Sequence, residues 1–267
     1  MVWRSSFIMK KPVSVCIITY NEEHNIRRCL ESVKWANEIV VIDSRSTDKT
    51  VEICREYTNK IILQDFPGHI EQKNYAIDQA KYDWVFCIDA DEEVSQQLQH
   101  EIMGVLEDDH LKKVGFYVPR KTEYLGEWVT FGRWYPDYKL RLFDHHRGRW
   151  GGENPHDRVD INGPTSRLRG YLLHRTYRDL THHLQVINRY TSIAAGQKYA
   201  KGVRFPLIRG FFSSIFYFFD SYFIKRGVFH GARGLILSTM GSYYVFLKYA
   251  KLWELYNSST RQKNKTP

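Results

Sequence analysis

The stretch Trp84-Val85-Phe86-Cys87-Ile88-Asp89-Ala90-Asp91-Glu92-Glu93 decides the fold class of this chain. Its apolar residues suit a strand buried on both faces, and they lead directly into two carboxylates one residue apart. A strand that ends in Asp-x-Asp places hard oxygen ligands at the rim of a sheet, where a divalent cation can hold a diphosphate. A strand followed by a solvated acidic turn explains the same residues, so the choice rests on the neighbouring segments.

Strands and helices alternate through the first hundred residues. Apolar strand patterns at 13–20, 38–43, 60–64 and 84–89 are separated by helical patterns, which predicts βαβ units and a parallel sheet. Ligands bind beyond the carboxyl ends of such strands. Because Thr19-Tyr20-Asn21-Glu22, Asp43-Ser44 and Asp89-Ala90-Asp91 all follow strands, we expect them to meet at one rim. No Gly-x-Gly-x-x-Gly or P-loop pattern is present, which argues against an ordinary dinucleotide or P-loop site.

The remaining pattern predicts a catalytic domain at 1–178, a helical extension at 179–257 and a disordered tail at 258–267. A helix is expected at 95–107, and strands at 115–119 and 139–143. A Gly/Pro-rich loop is expected at 149–157, close to the site, and another strand at 168–173 ends at His174. The expected fold is α/β, a mostly parallel sheet with flanking helices, plus a basic and aromatic helical extension.

Charge is distributed unevenly along the chain of 267 residues. Residues 1–163 carry 22 Lys/Arg and 27 Asp/Glu, whereas residues 164–267 carry 17 and 3, a net charge of +14. In the extension, cations alternate with Phe and Tyr clusters, which predicts helices in an anionic membrane interface, with a helical subdomain packed on the core as the alternative. No nucleic-acid-binding motif accompanies the charge, so we expect no nucleic-acid partner.

Cysteine usage and hydropathy suggest where the protein works. Cys16, Cys29, Cys54 and Cys87 lie in apolar patterns without metal-ligand spacing and are expected to be reduced core residues, as in a cytosolic protein. No apolar stretch of about 18 residues is present to span a membrane, and no signal peptide is recognised. We therefore expect a cytoplasmic protein held peripherally at a membrane surface.

Four motifs at the right order and spacing resemble glycosyltransferases of family 2 with the GT-A fold. They are residues 17–22, 41–48, Gln72-Lys73-Asn74-Tyr75-Ala76 and Asp89-Ala90-Asp91. Downstream, residues 134–143, the His156-Asp157 pair and residues 246–251 are similar to lipopolysaccharide inner-core β-glucosyltransferases, which add glucose to a core heptose.

The resemblance implies a UDP-sugar donor and a Mn²⁺ or Mg²⁺ ion. It also implies that the membrane is the inner face of a bacterial inner membrane. Asp91 would bind the metal, with His174 as the candidate histidine ligand or, alternatively, a structural residue. Asp43 would accept the uracil imide proton, although an acidic turn or helix cap explains it as well; Lys73 would reach a phosphate or the base, unless it is a helix-surface lysine. The residues expected to contact the nucleotide sugar are Thr19, Tyr20, Asn21, Glu22, Asp43, Ser44, Lys73, Asp89 and Ala90.

Transfer also needs a base for the acceptor hydroxyl. Asp157 is the first candidate, with Asp137 and Glu153 as alternatives. The family group usually has His-Glu where this chain has His156-Asp157, whose carboxylate is one methylene shorter. A single base with direct displacement implies inversion, so that an α-linked donor gives a β-linked product. The expected function is transfer of a hexose, glucose by resemblance, onto a lipopolysaccharide core sugar.

Other acceptors and other functions stay open. The acceptor is expected to be a lipopolysaccharide core or another glycolipid, and a polyprenyl-phosphate or a surface polysaccharide is the alternative within the class. A protein that only binds nucleic acid or nucleotide sugar is the alternative outside it.

Overall fold

The computed structural model describes residues 10–153 and 156–263, which form two compact units. The first unit contains the described residues up to Lys121 together with Asp137–Arg175. The second contains Thr122–Pro136 and the residues from Thr176 onward. The sequence predicts a boundary after residue 178, whereas the chain enters the helical unit at 176 and also contributes an internal segment to it.

The first unit is built on a mixed sheet. The strands of the described residues are β1 Val13–Thr19, β2 Glu38–Asp43, β3 Ile61–Leu63, β4 Trp84–Asp89, β5 Glu92–Val94, β6 Gly115–Tyr124, β7 Glu127–Trp128, β8 Asp137–Asp144, β9 Gly148–Glu153, β10 His156–Ile161, β11 Thr165–Arg167 and β12 Leu172–His174. The sheet order is β3-β2-β1-β4-β8-β6-β12-β5. The first four of these strands are parallel, whereas β8 pairs antiparallel with both β4 and β6. Strand β11 pairs parallel with β6.

Helices cover both faces of the parallel strands. The helices of this unit are α1 Ile26–Ser32, α2 Thr50–Arg55, α3 His69–Asp78 and α4 Gln96–Glu107. Because successive strand residues point to opposite faces, Val15 and Ile17 pack with Leu30 of α1, while Cys16 packs with Ile77 of α3. Burial on both faces explains why the strands read as continuous apolar runs. The predicted α/β class is confirmed.

Two segments of the first unit differ from the expectation. The stretch 149–157, predicted as a loop, lies within the antiparallel β9–β10 pair, which extends from 148 to 161; residues 154 and 155 lie outside the described residues. Trp150 of β9 and Val159 of β10 are opposite each other and pack into the core. The strand predicted over 168–173 is interrupted, because the amides of Arg169 and Gly170 donate to the Glu101 carboxylate instead of to a neighbouring strand. A Cβ at Gly170 would lie 2.2 Å from the Leu98 nitrogen, so the chain follows α4 closely there.

The second unit is helical, as predicted for the C-terminal part. Its helices are α5 Leu180–Ala200, α6 Pro206–Phe219 and α7 Gly231–Lys263, with a π-helical turn at Asp220–Ile224 and a 3-10 turn at Gly227–His230. A small core forms around Tyr124, Val129 and Leu237. Gly210 and Gly241 lie where a Cβ would collide with Tyr249 and Tyr217, so these glycines allow α6 and α7 to approach closely.

Helix α7 extends beyond the predicted structured region. It continues to Lys263, six residues into the segment 258–267 predicted to be disordered, and residues 264–267 lie outside the described residues. No glycine or proline lies between Ser242 and Lys263 to end it. Within residues 10–153 and 156–263, no helix is both long enough and apolar enough to cross a membrane.

Candidate active site

The carboxyl ends of three adjacent strands meet at one rim of the first unit. Thr19 is paired with Asp43, and Ile18 with Asp89, so the last residues of β1, β2 and β4 lie side by side. The predicted convergence of these strand ends is therefore present. Thr19 is buried, and its Oγ1 has no hydrogen-bond partner among the described residues.

The loop after β1 is fixed to the loop after β2. Asn21 has a left-handed backbone (φ +53), which Asn tolerates better than most residues. Its Oδ1 accepts the Thr47 amide at 2.8 Å, and its own amide donates to Ser46 Oγ at 2.8 Å. The Glu22 amide donates to Thr50 Oγ1 at 2.8 Å. These bonds hold the predicted nucleotide-side loop on the rim without any ligand.

Asp43 is fully buried and closes the turn after β2. Its two carboxylate oxygens accept the amide of Ser46 at 2.8 Å and the hydroxyl of Ser46 at 2.5 Å. Asp43 therefore forms the acidic turn that the alternative explanation describes, whereas its contact with uracil stays a prediction. The neighbouring Ser44 hydroxyl is hydrogen-bonded to the Gln72 side chain, while Tyr20 is more than half exposed.

A buried ion network lies directly beneath the rim. Lys73 Nζ lies 2.7 Å from Asp157 Oδ2 and 3.1 Å from Asp89 Oδ1. Arg141 Nη2 lies 2.9 Å from Asp89 Oδ2 and 2.7 Å from Glu92 Oε1. Asp89 is thus bridged by two cations, and Lys73 connects it to the first-choice base. The helix-surface alternative for Lys73 is wrong, because its side chain is buried between two carboxylates. Its contact with a phosphate or the base stays a prediction.

The pKa shifts in this network follow from its ion pairs. Burial alone would raise the pKa of Asp89, but the charges of Lys73 and Arg141 hold it well below its usual value. Burial alone would lower the pKa of Lys73, but Asp89 and Asp157 raise it. Lys73 and Asp89 are therefore both charged at neutral pH. Because Lys73 and Arg141 both hold the Asp89 carboxylate, its negative charge is already compensated within the protein.

Asp91 and His174 form the arrangement suited to a metal ion. His174 Nε2 lies 3.1 Å from Asp91 Oδ2, and the two residues are brought together by the β5–β12 pair, in which His174 is opposite Glu92. Two donor atoms that share one ion at about 2.1 Å each, at right angles, are about 3 Å apart. Burial alone would raise the pKa of the Asp91 carboxyl, but the neighbouring His174 lowers this pKa below its usual value. A carboxylate and an imidazole leave further positions for diphosphate oxygens and water, so the donor set fits Mn²⁺ or Mg²⁺.

The three candidate bases have different surroundings. Asp157, on β10, has a side chain 16% exposed and is paired with Lys73. Asp137 lies 2.7 Å from Arg120 Nη2 and 3.1 Å from Lys139, and these cations hold its pKa below normal against the effect of burial. Glu153, at the end of β9, is exposed. Asp157 is joined to Asp89, at the rim, through the single side chain of Lys73.

Two residues of the ion network are absent from the predicted site. Glu92 has a fully buried side chain that accepts the Asp89 amide at 2.9 Å and also holds Arg141. Arg141, on β8, is 3% exposed and pairs internally with Asp89 and Glu92. The available signal was a single arginine inside the apolar strand pattern 139–143, which is unusual unless the charge has a partner.

Three aromatic residues between positions 134 and 150 have packing roles. Trp150 is buried against the network, with Lys73 Nζ 4.4 Å and the Arg141 guanidinium 5.7 Å from its ring centroid. Trp134 and Tyr135 pack in the core of the second unit. Trp150 therefore supplies a cation–π face that stabilises two buried cations.

Comparisons with known proteins agree on the family. The family model described as glycosyl transferase family 2 matches residues 14–167, more than half of the chain. The lipopolysaccharide core biosynthesis glycosyltransferase LpsC of Rhizobium meliloti is 31% identical over 92% of this chain and 94% of its own length. An uncharacterized glycosyltransferase of Rickettsia typhi is 31% identical over 92% of this chain and 88% of its own. A crystal structure of S. aureus TarS 1–349 in complex with UDP covers 90% of this chain and 91% of that chain, with 15% identity and a TM-score of 0.47.

Proposed function

The chain belongs to glycosyl transferase family 2 and is a glycosyltransferase, and we propose that it moves a hexose from a UDP-sugar onto a lipopolysaccharide core sugar, with inversion at the anomeric carbon. The single observation that carries this proposal is the pairing of Asp91 with His174 at the same rim where Lys73 links Asp89 to Asp157. The Asp91–His174 pair fits a metal ion, and the Lys73–Asp157 pair supplies a carboxylate at the same rim.

Asp91 and His174 would hold a Mn²⁺ or Mg²⁺ ion, which supplies positive charge against the departing diphosphate. Asp89 is occupied by Lys73 and Arg141, which supports a division in which Asp91 binds metal and Asp89 faces the nucleotide. The loop from Thr19 to Glu22 and the turn at Asp43 would hold the uridine. Their positions at adjacent strand ends support this assignment.

Asp157 would accept the proton of the acceptor hydroxyl. The acceptor oxygen then forms a bond to the anomeric carbon while the bond from that carbon to the phosphate oxygen breaks, and the electron pair leaves with UDP. Lys73, 2.7 Å from Asp157, holds this carboxylate in position. A single carboxylate and one displacement give inversion, so that an α-linked donor yields a β-linked product.

The acceptor assignment rests on the printed role of LpsC in lipopolysaccharide core biosynthesis, over nearly the full length of both chains. We infer a core sugar as acceptor, with heptose and a glucose donor as the specific candidates. A UDP-release assay with Mn²⁺ and a panel of UDP-sugars identifies the donor, first with core oligosaccharide and then with polyprenyl phosphate as acceptor. Turnover that is unchanged after chelation would refute the metal assignment. Turnover only with polyprenyl phosphate would refute the core assignment.

The variant Asp91→Asn tests the metal site directly. We expect it to lose activation by Mn²⁺ while keeping the fold, because the carboxamide is a poor ligand for a hard cation. Activity falls by at least about a hundredfold on this view, a loss of several kcal/mol in transition-state stabilisation. Glu93→Gln, two residues further along the chain on β5, is the matched control. Equal Mn²⁺ activation in Asp91→Asn and wild type would remove Asp91 from the metal site.

We further propose that the second unit binds an anionic membrane surface through α6. Large apolar side chains on this helix and its continuation are exposed at helical spacing: Phe205, Ile208, Phe212, Phe216, Phe219 and Phe223. They are 54% to 68% exposed. Exposed cations flank this aromatic face, among them Arg204, Arg209, Lys225 and Arg226. An apolar face bordered by cations is the arrangement of interfacial helices.

Vesicle co-sedimentation tests this surface. Wild type should sediment with vesicles containing anionic phosphatidylglycerol, and less of it as salt increases. The double variant Phe212→Ser/Phe216→Ser should lose most of this binding. Phe66→Ser, which removes an equally exposed phenylalanine from the first unit, is the control. Equal binding of both variants, or none by wild type, would refute the membrane surface.

A further inference from the structure

A second cluster of potential metal ligands lies at the opposite end of β4. Asp83, His145 and His146 each offer a ligand atom, and these atoms all lie within 4.8 Å of one another. Asp83 precedes β4 and Asp89 ends it, so about six residues, or roughly 20 Å of strand, separate this cluster from the active-site rim. It cannot share an ion with Asp91.

The backbone around the cluster is fixed by the sheet. Trp84 is opposite Asp144 in the β4–β8 ladder, and the His145 amide donates to the Asp83 carbonyl at 2.9 Å. The turn from β8 to β9 is closed by Asp144, whose Oδ1 accepts the His146 amide at 2.9 Å and whose carbonyl accepts the Arg147 amide at 3.0 Å. Both imidazoles therefore project from a three-residue turn directly beside Asp83.

The side chains are already close to a shared ion position. His146 Nε2 lies 3.0 Å from Asp83 Oδ1, and the His145 and His146 ring centroids are 4.2 Å apart. Two ligand atoms on one tetrahedral ion at about 2.0 to 2.1 Å are about 3.3 Å apart, so small side-chain rotations would bring all three donors onto one ion. Arg149, the nearby cation, is paired with Asp78 at 2.5 Å.

We propose that Asp83, His145 and His146 form a binding site for one borderline divalent transition-metal ion, with Zn²⁺ as its probe. Two imidazoles and one carboxylate suit zinc and its neighbours, whereas Mg²⁺ and Mn²⁺ prefer oxygen ligands. The bound ion connects the beginning of β4 to the β8–β9 turn, as a structural brace away from the transfer site.

The experiment uses the full chain without a histidine tag, titrated with Zn²⁺ by calorimetry in excess Mg²⁺. The double variant His145→Asn/His146→Asn removes two ligands, and His110→Asn, which removes an exposed histidine elsewhere, is the matched control. We expect the control and wild type to bind one more equivalent of Zn²⁺ than the double variant, or to bind it at least about tenfold more tightly.

The same three proteins are compared by thermal unfolding and by Co²⁺ absorption. Zinc should raise the midpoint of wild type and His110→Asn but not that of the double variant, and only the first two should show the visible bands of tetrahedral Co²⁺. If the double variant fails to fold, Asp83→Asn takes its place in all three measurements. Zinc stoichiometry and affinity equal to those of wild type in the ligand variants would overturn the proposal, as would no zinc binding by wild type. If Zn²⁺ binds at Asp91 and not at this cluster, the ligand variants will bind it with the stoichiometry and affinity of wild type, and the proposal fails.

Discussion

Replacing Asp157 by asparagine should separate chemistry from folding and donor binding. The carboxylate accepts the acceptor proton in the proposed reaction, and the isosteric amide cannot. Base catalysis by a positioned side chain contributes about 10²- to 10⁴-fold, so we expect kcat to fall by that factor, equivalent to about 3–5 kcal/mol at 1.36 kcal/mol per tenfold. The affinity for UDP should change less than about threefold, because Asp157 reaches the strand end at Asp89 through Lys73.

The structure explains why this variant should remain folded. Lys73 loses one counter-ion at 2.7 Å but keeps Asp89 at 3.1 Å, so its buried charge is not left alone. The asparagine oxygen can still accept a hydrogen bond from Lys73. We therefore expect a loss of about 1–3 kcal/mol in the free energy of unfolding, below the cost of orphaning a buried charge.

The assay is UDP release from the donor identified by screening, with and without acceptor, together with calorimetric UDP binding. Asp160→Asn is the matched control, since it makes the same change on β10 at an exposed position whose side chain points to the opposite face. Asp137→Asn and Glu153→Gln test the two alternative bases. More than about a tenth of wild-type kcat in Asp157→Asn would refute the assignment, and a greater loss in either alternative would transfer the role to it.

Two other predictions concern stability. Lys73→Met should lower the free energy of unfolding by about 3–5 kcal/mol, because it leaves Asp89 and Asp157 without their shared cation. In urea unfolding, the double variant Lys73→Met/Asp157→Asn should recover part of that loss. Strictly additive effects of the two substitutions would contradict the coupling between these residues. His183 is buried with its Nδ1 2.9 Å from Tyr124 Oη, and burial, followed by the charge of His182, lowers its pKa to about 4. Since the folded value lies below the unfolded value near 6.5, this residue's neutral form favours folding fully above pH 6.5, and about 3 kcal/mol is lost as the pH falls toward 4. NMR titration of the His183 ring measures the pKa, and His183→Gln should flatten the stability profile over that window; a ring pKa near 6.5 would contradict it.

Local patterns predicted the parallel part of the fold well. The bounds of β2 and β4 are those expected, and the predicted α4 starts one residue after its cap Ser95, whose Oγ accepts the Leu98 amide at 3.2 Å. These elements are specified by short-range signals: continuous apolar runs for strands buried on both faces, and a serine cap for the helix. Residues at the ends of such strands must meet, because parallel strands share one carboxyl edge.

The antiparallel part was harder to predict because its partners are distant in sequence. Arg141 reaches Asp89 and Glu92 across about fifty positions, and no local periodicity encodes that contact. The Gly/Pro-rich stretch predicted as a loop lies within the β9–β10 pair, since Trp150 and Val159 bury apolar surface together. Lys73 likewise finds its partner Asp157 from 84 positions away.

The sequence alone determined the α/β class, the strand ends that form the rim, the helical and basic C-terminal part, and the family resemblance that the comparisons confirmed. Those features follow from side-chain period and from short motifs, which are properties of neighbouring residues. Only the tertiary structure decided which charges are paired: that Lys73 and Arg141 are buried beside Asp89, and that Lys73 also meets Asp157. A charge is stable in the interior only beside its counter-ion, and the fold, by bringing distant strands together, selects that counter-ion.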